Sequence, residues 1–268
     1  YHSLQGPSCR KQLIKPLGMP TYFLALAYKG TRFAGFQIQD NAITIQGQVE
    51  RAMATYLREN VQLTGSSRTD AGVHANRNFF HFSIDRILKD EFVYHVNAIL
   101  PPDIAITGIY AVPDGSHSRF DAIGRRYKYH IYNSKNPFLN DRSWYYPYPM
   151  DLADLNQAAS SLLGLHDFTS FAKRRTQVYT HMCTLYVCQW HETADGWVFT
   201  VEGNRFLRGM VRALVGTMVK VGRQKISFES FQNVLLSKDS AMADFSAPGH
   251  GLFLDDVIYP SEIAALLQ

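Results

Sequence analysis

Ten residues, Ser66-Ser67-Arg68-Thr69-Asp70-Ala71-Gly72-Val73-His74-Ala75, place an arginine and a carboxylate two positions apart, then a glycine and a histidine, between apolar runs. An aspartate held beside an arginine stays ionised and can act as a nucleophile. If the segment is extended, residues i and i+2 face the same side, so Arg68 and Asp70 could meet one substrate together. Gly72 permits a positive φ or a close backbone approach. The same letters also fit an ordinary Asp-Ala-Gly turn carrying a surface ion pair, which contributes little.

Three further clusters carry charge among apolar residues. Arg125-Arg126-Tyr127-Lys128-Tyr129 interleaves cations with rings. That suits RNA, where cations bind phosphates and rings stack on bases. It equally suits a strand with Tyr127 and Tyr129 packed on one side. Lys173-Arg174-Arg175 is a run of cations that fits a phosphate contact or a solvated loop tip. Arg212 lies inside the apolar stretch Phe206–Val221 and either finds a buried anion or snorkels to water. His74, His81, His117 and His166 have no ligand spacing, so no metal is assigned, and His74 is read as a hydrogen-bonded structural histidine.

The elements that must position these groups follow from apolar periodicity. Strands are expected at 21–29, 61–64, 78–84 and 104–112, with helices at 45–58 and 90–99, Asp90 serving as N-cap of the second. This is the split βαβ order β-α-β-β-α-β. A second set repeats it: strands at 125–132, 184–191, 197–202 and 251–258, and helices at 151–163 and 206–221, with Ala194-Asp195-Gly196 as a hairpin turn. The expected fold is therefore α+β, with two ferredoxin-like halves in one extended antiparallel sheet and helices on one face. The expected divisions are an N-terminal extension 1–20, a catalytic half 21–115, and a second half 116–268 with a polar, basic insertion at 165–180.

Composition narrows the class. Of 268 residues, 46% are hydrophobic and 19% charged, enough for a substantial core and too apolar for wholesale disorder. The net charge of +4 is unevenly spread: residues 119–225 carry 15 Lys+Arg against 8 Asp+Glu. A basic half on a near-neutral chain fits a polyanion partner or a solvated basic face. Cys9, Cys183 and Cys188 form neither a disulfide framework nor a metal motif, which suits a reducing cytoplasm. No apolar run approaches the roughly 18 residues of a membrane span, and the first 19 residues lack the apolar core of a signal peptide.

The block Ser66–Ala75 closely resembles the signature of the tRNA pseudouridine synthase A family. Further blocks match in order: Tyr28–Gln37, Val96–Pro101, His117–Phe120, His166–Phe171, Phe206–Arg212 and Gly251–Leu254. Two departures are Lys29, where the family commonly has Asp, and Ser66-Ser67, where a small pair ending in Gly is usual. The resemblance implies that Asp70 is the catalytic residue, that Tyr127 stacks on the target base and serves as general base, and that Arg212 pairs with Asp70. Asp70 is then expected between two arginines, Arg68 and Arg212. Arg68 would take the place of a flipped uridine, and Leu252 would wall the pocket. Arg125, Arg126, Lys173, Arg174 and Arg175 are candidate contacts to the tRNA backbone. The implied reaction moves uracil from an N1 to a C5 link on ribose and needs no cofactor. The implied partners are tRNA, at a uridine on the 3′ side of the anticodon arm, and a second copy of the chain in a homodimer. Two rivals remain at this level: a non-catalytic RNA-binding protein, and a hydrolase that would release free uracil.

Overall fold

The computed structural model describes residues 19–89, 91–174 and 178–268. Asp90, the expected N-cap, and Arg175 lie outside the described residues, as does nearly all of the extension. In the first half, β1 (Thr21–Tyr28), α1 (Ile45–Leu57), β2 (Thr64–Gly65), β3 (His74–Ser83), α2 (Glu91–Ile99) and β4 (Ile104–Val112) follow one another. The second half contains β5 (Gly124–Tyr132), β6 (Trp144–Tyr145), α3 (Leu152–Ser160), β7 (Gly164–Asp167), β8 (Met182–Glu192), β9 (Gly196–Gly203), α4 (Met210–Gly222), α5 (Phe228–Ser237) and β10 (Leu252–Ile258), before a short α6 (Ser261–Ala264).

Local chemistry explains the best-defined boundaries. The Thr44 hydroxyl accepts from the Gly47 amide to start α1, whose buried stripe is Ile45, Val49, Ala52, Met53 and Leu57. Asp151 caps α3 in the same way through the Asp154 amide. Helix α4 is buried almost all round, from Ala213 through Val219.

The strands form one sheet in the order β4-β1-β3-β10-β5-β9-β8-β7, with β2 added to β3 and β6 to β5. Pairing is antiparallel except for β10 with β3 and β5 with β6. One edge of β3 is taken by β1 along nearly its whole length. The other edge is shared: β2 pairs at Phe80 and His81, and β10 pairs at His74 and Ala75. This sharing joins the two halves into one sheet, and it places the start of β3, just after Asp70, against the C-terminal strand.

Several elements differ from expectation. The strand expected at 61–64 shrinks to Thr64–Gly65, because α1 side chains take the Leu63 backbone groups: its amide donates to the Glu50 carboxylate at 3.0 Å and its carbonyl accepts from the Gln46 amide at 2.9 Å; Val61 and Leu63 still bury their side chains from an irregular segment. β3 begins four residues earlier than expected, at His74, where β10 supplies partners. α4 starts at Met210 rather than Phe206, since Gly209 adopts a left-handed φ of 75°. The 165–180 insertion is not simply a polar loop. Its first part is edge strand β7, followed by a 3-10 turn that buries Phe168 and Phe171 in the core. Helix α5 was not anticipated. Cys183 and Cys188 are free, buried thiols on β8.

Candidate active site

The loop between β2 and β3 carries Asp70 and is held from several directions. The Ser66 amide bonds the Phe79 carbonyl at 2.8 Å, and the Asn78 amide group donates to the Ser67 carbonyl at 2.9 Å. The Tyr28 hydroxyl pairs with Thr69 Oγ1 at 2.8 Å, and the Phe36 amide donates to the Thr69 carbonyl at 3.1 Å. A turn closes from the Val73 amide to the Asp70 carbonyl at 3.2 Å, with Gly72 at a φ of 76°. Gly30 abuts the end of this turn so closely that a Cβ there would lie 1.9 Å from the Val73 carbonyl oxygen.

His74 fastens the base of the loop. Its Nδ1 accepts from the Gly30 amide at 3.0 Å, so Nε2 carries the proton and donates to the His250 carbonyl at 3.0 Å. The ring is 1% exposed, and burial pushes its pKa down to about 4. His74 is thus a neutral structural tie between the loops at 30, 70 and 250, in keeping with the sequence reading.

The Asp70 carboxylate lies between two guanidinium groups. Arg208 Nε is 3.9 Å from Oδ1, and Arg212 Nη1 is 3.8 Å from Oδ2. Both distances exceed hydrogen-bond length, so these contacts are electrostatic and leave the carboxylate lone pairs unspent. The arginines differ in kind. Arg212, in the first turn of α4, is 18% exposed and anchored by Nε to the Ala247 carbonyl at 2.6 Å. Arg208 is 62% exposed.

The expected bracket of Arg68 and Arg212 is therefore half met. Arg212 is in place, but Arg68 is exposed and pairs with no acid among the described residues. Arg208 supplies the second cation. It stands four residues before Arg212, a spacing that could have flagged it, but Gly209 breaks the helix between them and removes the usual same-face argument.

Tyr127, Tyr129 and Ile131 alternate onto the buried side of β5, with Arg126, Lys128 and His130 on the other. Leu254 pairs in register with Tyr127, and Leu252 with Tyr129, so buried Leu252 lies on the strand beside Tyr127, two positions from its partner Leu254. Tyr127 meets Phe206 edge-on at 5.0 Å between centroids. Burial pushes the Tyr127 hydroxyl up to about 12; Arg125 opposes this and the Asp70 charge adds to it. Tyr127 is therefore a neutral phenol within the electrostatic reach of Asp70.

The candidate tRNA-backbone cations have different partners within the chain. Arg125 spends its guanidinium internally, donating to the carbonyls of Arg119 at 2.8 Å, Ala122 at 3.2 Å and Asn204 at 3.3 Å. Arg126 pairs with Glu202 at 2.7 Å, and Lys128 with Asp255 at 3.0 Å. Lys173 lies at the site: its amide bonds the Arg208 carbonyl at 2.9 Å, and its side chain runs along Gly209. Arg174 turns to Asp239 at 3.1 Å. Lys29, the departure in the first loop, pairs with Asp141. No described helix is long and apolar enough to cross a membrane.

Comparison with known proteins adds an independent line. A family model described as tRNA pseudouridine synthase matches residues 158–260, the segment that holds Arg208, Arg212 and Leu252. The tRNA pseudouridine synthase A of Parabacteroides distasonis is 42% identical over 247 residues, covering 91% of this chain and 98% of the relative. That of Bacteroides fragilis is 41% identical over 250 residues, covering 92% and 99%. That of Bacillus subtilis is 37% identical over 239 residues, covering 87% and 97%.

Proposed function

The chain belongs to the tRNA pseudouridine synthase A family and is an isomerase that makes pseudouridine in tRNA; from this premise we propose that Asp70 is its nucleophile and that Arg212 holds it in place. The observation that carries this reading is the carboxylate itself. It is half-buried on a loop tied down at both ends, flanked by two arginines and hydrogen-bonded by neither.

Asp70 attacks the flipped nucleoside, at ribose C1′ or at the uracil ring. Either route breaks the N1–C1′ bond, forms C1′–C5, returns the carboxylate and exchanges the C5 proton for one on N1. Atoms and charge balance without any external reactant, so the residues need supply only position and proton traffic. Arg212, anchored on Ala247, keeps the carboxylate aimed as charge leaves and returns. Leu252 and Tyr127 wall the base, and exposed Arg68 is free to enter the gap left in the RNA stack.

As a neutral phenol Tyr127 is a poor base in the free protein. When Asp70 is consumed in a covalent bond its charge disappears, while Arg125 remains. Losing the anion while keeping the cation favours the phenolate just when the C5 proton must leave. Family membership also supports a uridine of the anticodon stem-loop as the target, and a cytoplasmic homodimer as the working form.

The test is the isosteric variant Asp70→Asn, assayed by nucleoside analysis of tRNA after incubation. Wild type should convert uridine to pseudouridine, and the variant should bind tRNA without converting it. Conversion at the wild-type rate by the variant would refute the role of Asp70.

A further inference from the structure

Phe120 is 74% exposed, yet the turn that carries it is held by several hydrogen bonds. The turn that presents it is closed by the His117 amide to the Asp121 carboxylate at 2.7 Å and by the Asp121 amide to the His117 carbonyl at 3.0 Å. The Arg119 and Phe120 amides both point at His117 Nδ1, at 3.2 and 3.3 Å. Beneath them Ser118 is fully buried: its hydroxyl bonds the Thr64 carbonyl and His81, and its carbonyl accepts from the Tyr259 hydroxyl at 2.6 Å.

The rings form a ladder. His81 lies 4.3 Å from His117, and His117 lies 4.1 Å from Phe120, centroid to centroid. The Arg119 guanidinium lies loosely over the Phe120 ring, 5.6 Å from its centroid, has no acid partner among the described residues, and must swing aside toward a phosphate for a base to take that face. Scattered exposed phenylalanines need no explanation. A phenylalanine backed by one imidazole, itself backed by a second, on a hydrogen-bonded turn is different, because little entropy is left to lose when a partner binds.

The position points to the partner. Arg125 grips the Arg119 carbonyl and also reaches Ser67 Oγ at 3.4 Å, and it shares a strand face with Tyr127. One guanidinium thus ties the Phe120 turn to the residue before Arg68 and to the Tyr127 side of the sheet. Arg68, next in the chain to Ser67, and Arg119 are both exposed, as is Arg208 beside Asp70.

We propose that Phe120 is a stacking platform for a base of the tRNA neighbouring the target uridine, with Arg119 contacting the adjoining phosphate. A nucleobase suits the platform because every base offers a flat π-face, and the arginines suit the phosphates on either side of it. Displacing a uridine from its stack leaves neighbouring bases without a partner, and the Phe120 ring replaces the lost contact. The proposal rests on the reading of the chain as a tRNA-modifying enzyme.

The experiment measures tRNA affinity for wild type and for Phe120→Ala, Phe120→Leu and Phe120→Trp, alongside stem-loop RNAs carrying 2-aminopurine at each position flanking the target uridine. Thermal melts confirm that the variants fold. Losing a base–aromatic stack should weaken binding roughly 5- to 150-fold for Ala. Leu, which keeps apolar area but has no π-face, should fall with Ala, and Trp should bind as wild type does. One 2-aminopurine position should be quenched by wild type and not by Phe120→Ala. Affinity of Phe120→Ala within twofold of wild type, with no position changing its quench, would overturn the platform. Because quenching reports stacking without turnover, a failure of the isomerase reading would show separately, as wild-type protein that quenches but forms no pseudouridine.

Discussion

The neutral His74 tie should make stability fall on acidification in a way that one substitution removes. In the fold, the ring accepts from Gly30 and donates to His250, and its pKa is depressed to about 4 by burial. In the unfolded chain it returns to about 6.5. Between these values the unfolded state binds the extra proton and the native state does not, so stability is full above about pH 6.5 and is lost as pH falls toward 4. Integrating one proton over that window gives a loss of about 2 kcal/mol at pH 5 and about 3 kcal/mol at pH 4. The assay is urea unfolding of wild type and His74→Gln at pH 7.5, 6, 5 and 4.5. At pH 7.5 the variant should be the weaker by about 1–3 kcal/mol for its disturbed hydrogen bonds. The gap should then shrink by about 2 kcal/mol at pH 5, because only wild type still has to expel the proton at this site. Other depressed histidines, such as His81, occur in both proteins and cancel in the difference. A gap that stays constant from pH 7.5 to 5 would refute the neutral-tie assignment.

Two further outcomes follow from the packing. Gly30→Ala would drive a Cβ to within 1.9 Å of the Val73 carbonyl oxygen, and since both sides are backbone the loop must move; a loss of about 1–3 kcal/mol, read as a lower thermal midpoint, should accompany a drop in activity. Arg125 and Arg126 are neighbours with opposite roles. Arg125→Ala strips donors from three carbonyls and should cost about 2–4 kcal/mol, whereas Arg126→Ala breaks one part-exposed pair with Glu202 and should cost less than about 1 kcal/mol by urea unfolding.

Much of this architecture is legible from local pattern. Strand Ile104–Val112 and the helices capped by Thr44 and Asp151 follow from alternation, helical spacing and N-cap chemistry, all of which act within a few residues. What local pattern misses is set by long-range contact. Val61 and Leu63 have strand-like residues, but the Leu63 amide and carbonyl are taken by the Glu50 and Gln46 side chains of α1 instead of a strand. Phe168 and Phe171 sit in a polar-looking insertion yet plug the core. Within the site, Asp70, Tyr127, Arg212 and Leu252 were found through family motifs, and the structure gathers their elements. Arg208 escaped because Gly209 interrupts the helix that would have paired it with Arg212. The internal use of Arg125 escaped because its carbonyl partners are spread from residue 119 to 204. Charge pattern alone could not separate such a buried clamp from a phosphate contact.

The most direct test of the central claim is tritium release from tRNA labelled at uridine C5, with wild type and Asp70→Ala side by side. Joining ribose to C5 must expel that hydrogen. Release by wild type and none by Asp70→Ala, with tRNA still bound, is the predicted result. Equal release by both proteins would contradict the account by removing Asp70 from the centre of the reaction.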